Sequence, residues 1–263
     1  MIVMGSVGYG KSATVKALIR RLRAVYGSRR YLAIIDPKGE YSALADDLGL
    51  ATIKFTPGGT HCVNPLDPQG DDGGLIERQA LVAQLVGGVI RTPLNQVEDA
   101  VLGRAIERLC DRGHPFTLRE VRNEIAEPAD DLVAMSRYSP LELTRASTSV
   151  TFALDKLCTR TLRGMFDGPT TVRIDWEHGP GVLLDLSAVY SNQEALPLVM
   201  IAATYWLAGA LRSRGDRQAI QVIDEAWAAI RHGADYFQSS LKLARAHGVA
   251  TVLVVPRTAD LTA

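Results

Sequence analysis

The chain has no excess charge of either sign: 29 Lys and Arg residues balance 29 Asp and Glu residues over 263 positions. Bulk composition therefore gives no pull toward nucleic acid or an anionic membrane, although it leaves room for a local patch. Cysteine is scarce. Cys62, Cys110 and Cys158 are odd in number, widely spaced and form no C-x-x-C, which argues against a disulfide framework and predicts reduced packing thiols in a cytosolic protein. The five histidines form no H-E-x-x-H or other short ligand pattern, so no zinc site is predicted. Long apolar runs are almost missing too. The exception, Ala195–Leu211, is uncharged but lies at the lower length limit for a membrane span and includes Pro197 and Gly209. A buried core helix is the better reading, and no integral membrane segment is expected. The four residues "MIVM" before the first glycine are too short for a secretory leader. Both ends look abrupt, with a minimal strand at the start and only "PRTADLTA" after the last one, so a core excised from something longer is expected.

What is present is a 47% hydrophobic, ordinarily charged globular composition. Short apolar runs alternate with longer helical patterns. Strands are predicted at Ile2–Met4, Tyr31–Ile35, Ala51–Phe55, Thr170–Ile174, Gly181–Leu186, Ala219–Ile223 and Val249–Val255. The nearly all-apolar character of several of them suits strands buried on both faces. Lys11–Val25 repeats Val15, Leu18, Ile19 and Leu22 at helical spacing. Between Gln69 and Leu162 no convincing strand is found. Helical patterns cover 75–90, 96–112, 118–127 and 149–157, and Thr117 with Glu120 makes a capping box. These features predict an α/β fold, a mostly parallel sheet flanked by helices, made from residues 1–68 and 162–263, with an all-helical insertion at 69–161.

The first glycine loop, "GSVGYGKS", fits two templates. Gly5, Gly10, Lys11 and Ser12 match G-x-x-x-x-G-K-[ST], whereas Gly8, Gly10 and Ala13 match the looser G-x-G-x-x-[GA]. A phosphate cradle needs glycines so that backbone N–H groups can wrap phosphate oxygens, with the dipole of the following helix added. Residues Gly5, Ser6, Val7, Gly8, Tyr9, Gly10, Lys11, Ser12 and Ala13 would form that cradle. Lys11 would reach the β- and γ-phosphates, and the Ser12 hydroxyl would hold Mg²⁺. The dinucleotide reading has Asp36 at the end of the second strand as a ribose-binding acid. It leaves Lys11–Ser12 unexplained and puts Gly8 late in the turn.

The second half separates the two readings. "AIQVIDEAW" is an apolar strand ending in Asp224 and Glu225. A carboxylate at the strand tip orients Mg²⁺, and a second polarises the attacking water. An acidic helix cap after an apolar strand is common alone. Downstream of a P-loop it reads as a Walker B element.

With these motifs in place the sequence resembles the ATPase core of the HerA–FtsK superfamily, and within it the cytoplasmic ATPases of type IV secretion and conjugation, the TraC class. The resemblance rests on "GSVGYGKS", "IIDPKGEY", "VNPLDP" and "VIDEAW", supported by "DLSAV" and "ARAHGVATVLVV", in order along almost the whole chain. It implies a RecA-like P-loop fold and an Mg²⁺-dependent ATPase with Lys11 and Glu225 as catalytic residues. It implies Ser12 and Asp224 at the metal, and an arginine, best matched by Arg245, supplied by a neighbouring subunit of a homo-oligomeric ring, usually a hexamer. It also implies a cytoplasmic protein held peripherally at the inner face of the cell membrane by embedded secretion-channel components. One departure stands out: the family usually places a glutamine or histidine after the last strand, and here Pro256 occupies that position, with no side-chain donor or acceptor.

Several residues keep two readings. Pro37–Lys38–Gly39 read as a turn with Glu40–Tyr41 opening the next helix, and Asp36 and Glu40 fit helix capping as well as a nucleotide or interface role. Asn64–Pro65 reads best as a rigid exit from the third strand. The cluster Arg20, Arg21, Arg23, Arg29 and Arg30 is a solvated helix face unless the protein pumps DNA. Arg245 is otherwise a solvent-facing arginine near the end of a helix predicted over Asp235–His247. Three functions remain: a motor for secretion or pilus assembly, a DNA-translocating pump, and a module that binds nucleotide without hydrolysing it.

Overall fold

A computed structural model describes residues 1–6, 8–67, 74–127, 130–212, 217–230, 237 and 244–257. The chain divides into two compact units, Met1–Thr56 with Val172–Ala263, and Pro57–Thr171.

The first unit is built on a six-stranded sheet of β1 (Ile2–Met4), β2 (Tyr31–Asp36), β3 (Ala51–Lys54), β4 (Gly181–Asp185), β5 (Ala219–Ile223) and β6 (Val249–Val255), in the order β1-β6-β5-β2-β4-β3. Every neighbouring pair is parallel, so all six carboxyl ends share one edge. The register aligns Met4 with Val255, Leu253 with Ile223, and Ile35 with Ile223. One sheet face contributes Leu32, Ile34, Leu183, Ile220, Val222, Val252 and Val254 to a core closed by α1 (Lys11–Tyr26) and α2 (Ser42–Leu48). Val15 and Ile19 of α1, four residues apart on one helical stripe, enter this core. The apolar helix α9 (Ala195–Arg212) is long and apolar enough to cross a membrane, yet 89% of its most apolar window is buried within the protein.

The second unit contains only helices among its described elements: α3 (Leu75–Ile90), α4 (Gln96–Asp111), α5 (Leu118–Ile125), α6 (Asp130–Ser136), α7 (Pro140–Ala146) and α8 (Thr148–Lys156), the last running on into a wider turn over Leu157–Thr161. Three helices start in capping boxes. Asn95 Oδ1 accepts from Val97 N at 2.9 Å and Glu98 N at 3.0 Å while Glu98 returns a bond to Asn95 N. Thr117 N donates to Glu120 at 2.8 Å, as expected, and Ser139 N donates to Glu142 at 2.8 Å. Asn64 is the knot of this unit's first segment. Its Nδ2 donates to Asp67 at 2.7 Å and to the Phe116 carbonyl at 2.8 Å, and its Oδ1 accepts from Leu66 N at 3.0 Å. That is the geometry of a rigid corner.

Two sequence expectations are corrected. No strand forms over 170–174. Thr170 and Thr171 are pinned by their hydroxyls, which accept from Asn64 N and Cys62 N at 2.9 Å each, and one backbone bond from Thr171 N to Cys62 O does not extend into a ladder. The helix expected to open at Glu40 begins at Ser42, because Glu40 and Tyr41 complete a turn anchored by Asp36.

Candidate nucleotide-binding site

The parallel sheet delivers the loops after β1, β2, β4, β5 and β6 to a single edge, the place where open α/β sheets bind ligands. The loop after β1 carries Gly5, Ser6, Gly8, Tyr9 and Gly10; Val7 lies outside the described residues. Gly8 at φ 86° and Gly10 at φ 75° hold left-handed backbone conformations that side chains resist. Gly10 is also the N-cap of α1, with no side-chain cap and no acidic residue in the first turn. The positive end of α1, which begins with Lys11, Ser12 and Ala13, is therefore left without a negative partner from its own first turn. Lys11 Nζ is folded over the loop and donates to the carbonyls of Gly5 at 2.5 Å and Ser6 at 3.2 Å. Thr14 N bonds Gly10 O at 2.9 Å and locks loop to helix.

Two strands away, Asp224 and Glu225 leave β5. Asp224 N is held by Ile35 O at 3.1 Å, and Ala226 N by Val254 O at 3.1 Å, so the acidic tip is fixed between β2 and β6. Asp224 is buried; its Oδ1 accepts from Glu225 N at 2.8 Å, and its Oδ2 has no hydrogen-bond partner among the described residues. Burial is the main reason its pKa rises to about 6, and the Glu225 carboxylate adds to the rise. The Tyr41 hydroxyl is within electrostatic reach of Asp224 but outside hydrogen-bond geometry, and burial with that neighbour raises its pKa. Glu225 has φ 49°, a strained value for a residue with a side chain. Its Oε1 meets Lys38 Nζ at 2.6 Å, and its Oε2 accepts from Trp227 Nε1. Burial opposes the charge of Lys38, yet the hydrogen bond and charge of Glu225 leave its pKa above the ordinary lysine value.

Asp36 is fully buried and each of its oxygens accepts a bond from its own turn, from Lys38 N at 3.2 Å and Tyr41 N at 2.8 Å. That geometry makes it a turn anchor. Pro256 follows directly on β6, between the strand of the P-loop and the strand of the acidic pair.

Arg245 is not brought to this edge. It is exposed, its carbonyl accepts from Gly248 N at 3.2 Å, and Gly248 O in turn accepts from Ala219 N at the amino end of β5. The helix expected over 235–247 falls largely outside the described residues; residues 244–246 are helical. Four arginines of the cluster after Ile19 have partners, Arg29 Nε donating to Tyr26 O at 3.3 Å. Arg20 pairs with Asp47 at 2.7 Å, Arg23 donates to Gly27 O at 2.9 Å, and Arg30 stacks on Tyr26 at 3.7 Å.

The residues present fit a nucleoside triphosphate with Mg²⁺. The N-terminus of α1 and Lys11 suit phosphate oxygens, and the orphaned Asp224 Oδ2 is a buried acceptor that a cation would satisfy. Among the described residues no cluster of three His, Cys, Asp or Glu side chains could hold a metal. Mg²⁺ is commonly bound by one or two carboxylates together with substrate phosphates. Sequence reasoning missed Lys38 and Trp227.

Residues 1–203 match the family described as Helicase HerA, central domain. The chain belongs to that family. Among solved structures, the chain is similar over its full length to VirB4 of Thermoanaerobacter pseudethanolicus, with TM-score 0.79, 21% identity and 71% of that chain covered. It is also similar to the bacterial conjugative coupling protein TrwB, with TM-score 0.65, 20% identity, and coverage of 98% of this chain and 62% of that one. A structure of TrwB with ADP and Mg²⁺ gives TM-score 0.64 at 19% identity, covering 98% of this chain and 64% of that one. No curated protein matches in sequence. The fold is therefore the RecA-like P-loop NTPase fold, and the HerA–FtsK resemblance read from the motifs holds.

Proposed function

We propose that this HerA-family chain is the ATPase core of a ring motor serving type IV secretion, conjugation or pilus assembly. The observation that carries the reading is the meeting, on one sheet edge, of an uncapped glycine-loop helix bearing Lys11 with a buried, incompletely satisfied carboxylate, Asp224. In this reading backbone N–H groups of residues 5–13 and Lys11 would hold the phosphates, and Ser12 and Asp224 would hold Mg²⁺, which would supply charge neutralisation for phosphoryl transfer. Glu225 orients the attacking water. Arg245, at the opposite edge of the sheet, is assigned to the neighbouring subunit's site, where a guanidinium stays charged and binds phosphate oxygens in a fork. A homo-oligomeric ring, usually a hexamer, at the cytoplasmic face of a membrane-embedded channel is part of this proposal. TrwB, described as a conjugative coupling protein, keeps DNA as a candidate cargo.

The test is ATP hydrolysis measured against protein concentration, with and without DNA. Specific activity should rise as rings assemble. Lys11→Ala should lose nucleotide binding, and Arg245→Ala should keep binding but lose about 10³ in rate. Mixed rings of the two variants should regain turnover, because some interfaces then pair an intact P-loop with an intact arginine. Parent-like hydrolysis by Lys11→Ala sinks the P-loop reading, and absence of rescue in proven mixed rings sinks the role of Arg245. Stimulation of turnover by DNA would favour the pump. Pro256 at the sensor position favours the second reading, a nucleotide-binding assembly module, which a null assay on assembled rings would support.

A further inference from the structure

Lys38 and Glu225 are 187 residues apart in sequence, yet their charged atoms meet at 2.6 Å in a setting that fixes both. The lysine is carried by a turn with little freedom. Asp36 clasps the turn through Lys38 N and Tyr41 N, and Asp36 O accepts from Leu186 N at 2.9 Å. Gly39, at φ 72°, lies so close to the exit of β4 that a Cβ there would come within 3.2 Å of Ser187 Cβ. Ser187 is held in its turn by Asp185, which accepts from its N–H at 2.9 Å. The Tyr190 ring, 5.6 Å from Lys38 Nζ, offers the ammonium an aromatic face.

The glutamate is fixed as firmly. Its backbone is in the left-handed region, its N–H is bonded to Asp224 Oδ1, and its second oxygen is bonded by Trp227. Its side chain is only 7% exposed and stands next to another carboxylate. Without Lys38 that charge would be both desolvated and repelled by Asp224. Each Glu225 oxygen accepts one protein bond, from Lys38 or from Trp227, and each keeps a lone pair with which to accept a bond from water.

We infer that Lys38 is a positioning residue for Glu225, holding the carboxylate in one orientation so that it can align the attacking water. The inference rests on the ATPase reading above. Phosphoryl transfer depends on alignment more than on covalent chemistry, so a carboxylate set free to rotate would lose rate without losing nucleotide.

The first readout needs no nucleotide. In ¹⁵N-labelled protein at fixed pH, the indole Nε1–H resonance of Trp227, assigned with Trp227→Phe, should move in Lys38→Met and return toward the parent in Lys38→Arg. In steady state Lys38→Met should lower kcat by about 10²-fold. KM and the dissociation constant for Mg²⁺-ATP should stay within twofold or so, with most of the rate restored in Lys38→Arg. In a Glu225→Gln background the same substitution should cost nothing further, because both changes remove one device. An unmoved indole resonance, additive losses, or a kcat that is unchanged or raised by Lys38→Met would overturn the assignment; the last result would mean that Lys38 restrains Glu225. Failure of the ATPase reading looks different: the parent does not hydrolyse ATP, or Lys11→Ala leaves turnover intact. The indole resonance still decides in that case whether Lys38 holds Glu225.

Discussion

In the helical unit, Pro57–Thr171, the buried polar side chains are paired; at the carboxyl edge of the sheet two buried oxygens, Asp224 Oδ2 and Tyr41 OH, are not. Asn64 makes three side-chain bonds, Asp167 is held by Arg119 and Gly164 N, and Glu98 closes a capping box while accepting from Ser149. Among the described residues every buried side-chain oxygen or nitrogen left without a hydrogen bond, Asp224 Oδ2 and Tyr41 OH included, belongs to the sheet unit. The same contrast separates the helix starts. Asn95, Thr117 and Ser139 close their own helices, and α3, which starts at Gly74 without a side-chain cap, carries Glu77 in its first turn, whereas α1 starts at Gly10 with neither a cap nor a first-turn acid. Local completeness stabilises, and local incompleteness is where a ligand can add binding energy.

The contrast can be broken from either side. Glu225→Gln should have the largest effect: turnover falls by about 10³ while nucleotide binding persists. Unchanged turnover would transfer water positioning to another group, with Glu40 the first to examine.

Asp224→Asn comes next, and its effect depends on pH. The folded pKa of about 6 lies above the ordinary carboxyl value, so the folded state holds an extra proton between roughly pH 4 and 6, and stability declines as pH rises through that window. In nucleotide-free protein, denaturant midpoints for Asp224→Asn should gain on the parent between pH 4 and pH 7. A shift of roughly two pKa units corresponds to a gain on the order of 3 kcal/mol. A difference that is flat with pH would show that the carboxylate is already satisfied.

Asn95→Ala tests the complete side. Thermal unfolding should show a loss of about 1–2 kcal/mol with nucleotide affinity untouched. An altered affinity would mean that the helical unit contributes to the site. The smallest effect is expected from Pro256→Gln, an increase in turnover of about threefold, under 1 kcal/mol. A fall, or no movement, would show that the backbone after β6 has adapted to proline.

Much of this was legible in the sequence. Strands β2, β4 and β5 announce themselves because burial on both faces demands continuous apolar runs, and β6 is buried over most of its length. The edge strand β1 leaves Ile2 and Met4 exposed and was legible from its place before the glycine loop. The P-loop and the acidic pair were legible because their chemistry is local, requiring fixed residue types at fixed spacing. Thr170–Ile174 misled because β-branched residues in an extended segment look alike whether a ladder or side-chain hydroxyls hold them. The short α6 and α7 went unread, although Ser139, Pro140 and Glu142 carry a complete start signal for α7. Lys38 had no signal: its role comes from a partner on another strand, and only the register of β2 against β5 brings the two together. The buried orphan on Asp224 is likewise a product of tertiary packing.

The backbone of Glu225, at φ 49°, carries an evolutionary consequence. Glycine or asparagine would relieve a strain of about 1 kcal/mol at that position. A population of these chains selected for heat resistance alone would therefore drift away from glutamate there. Its persistence would register continuing demand for the work it does, so position 225 can serve as a gauge that separates copies under functional selection from decaying ones.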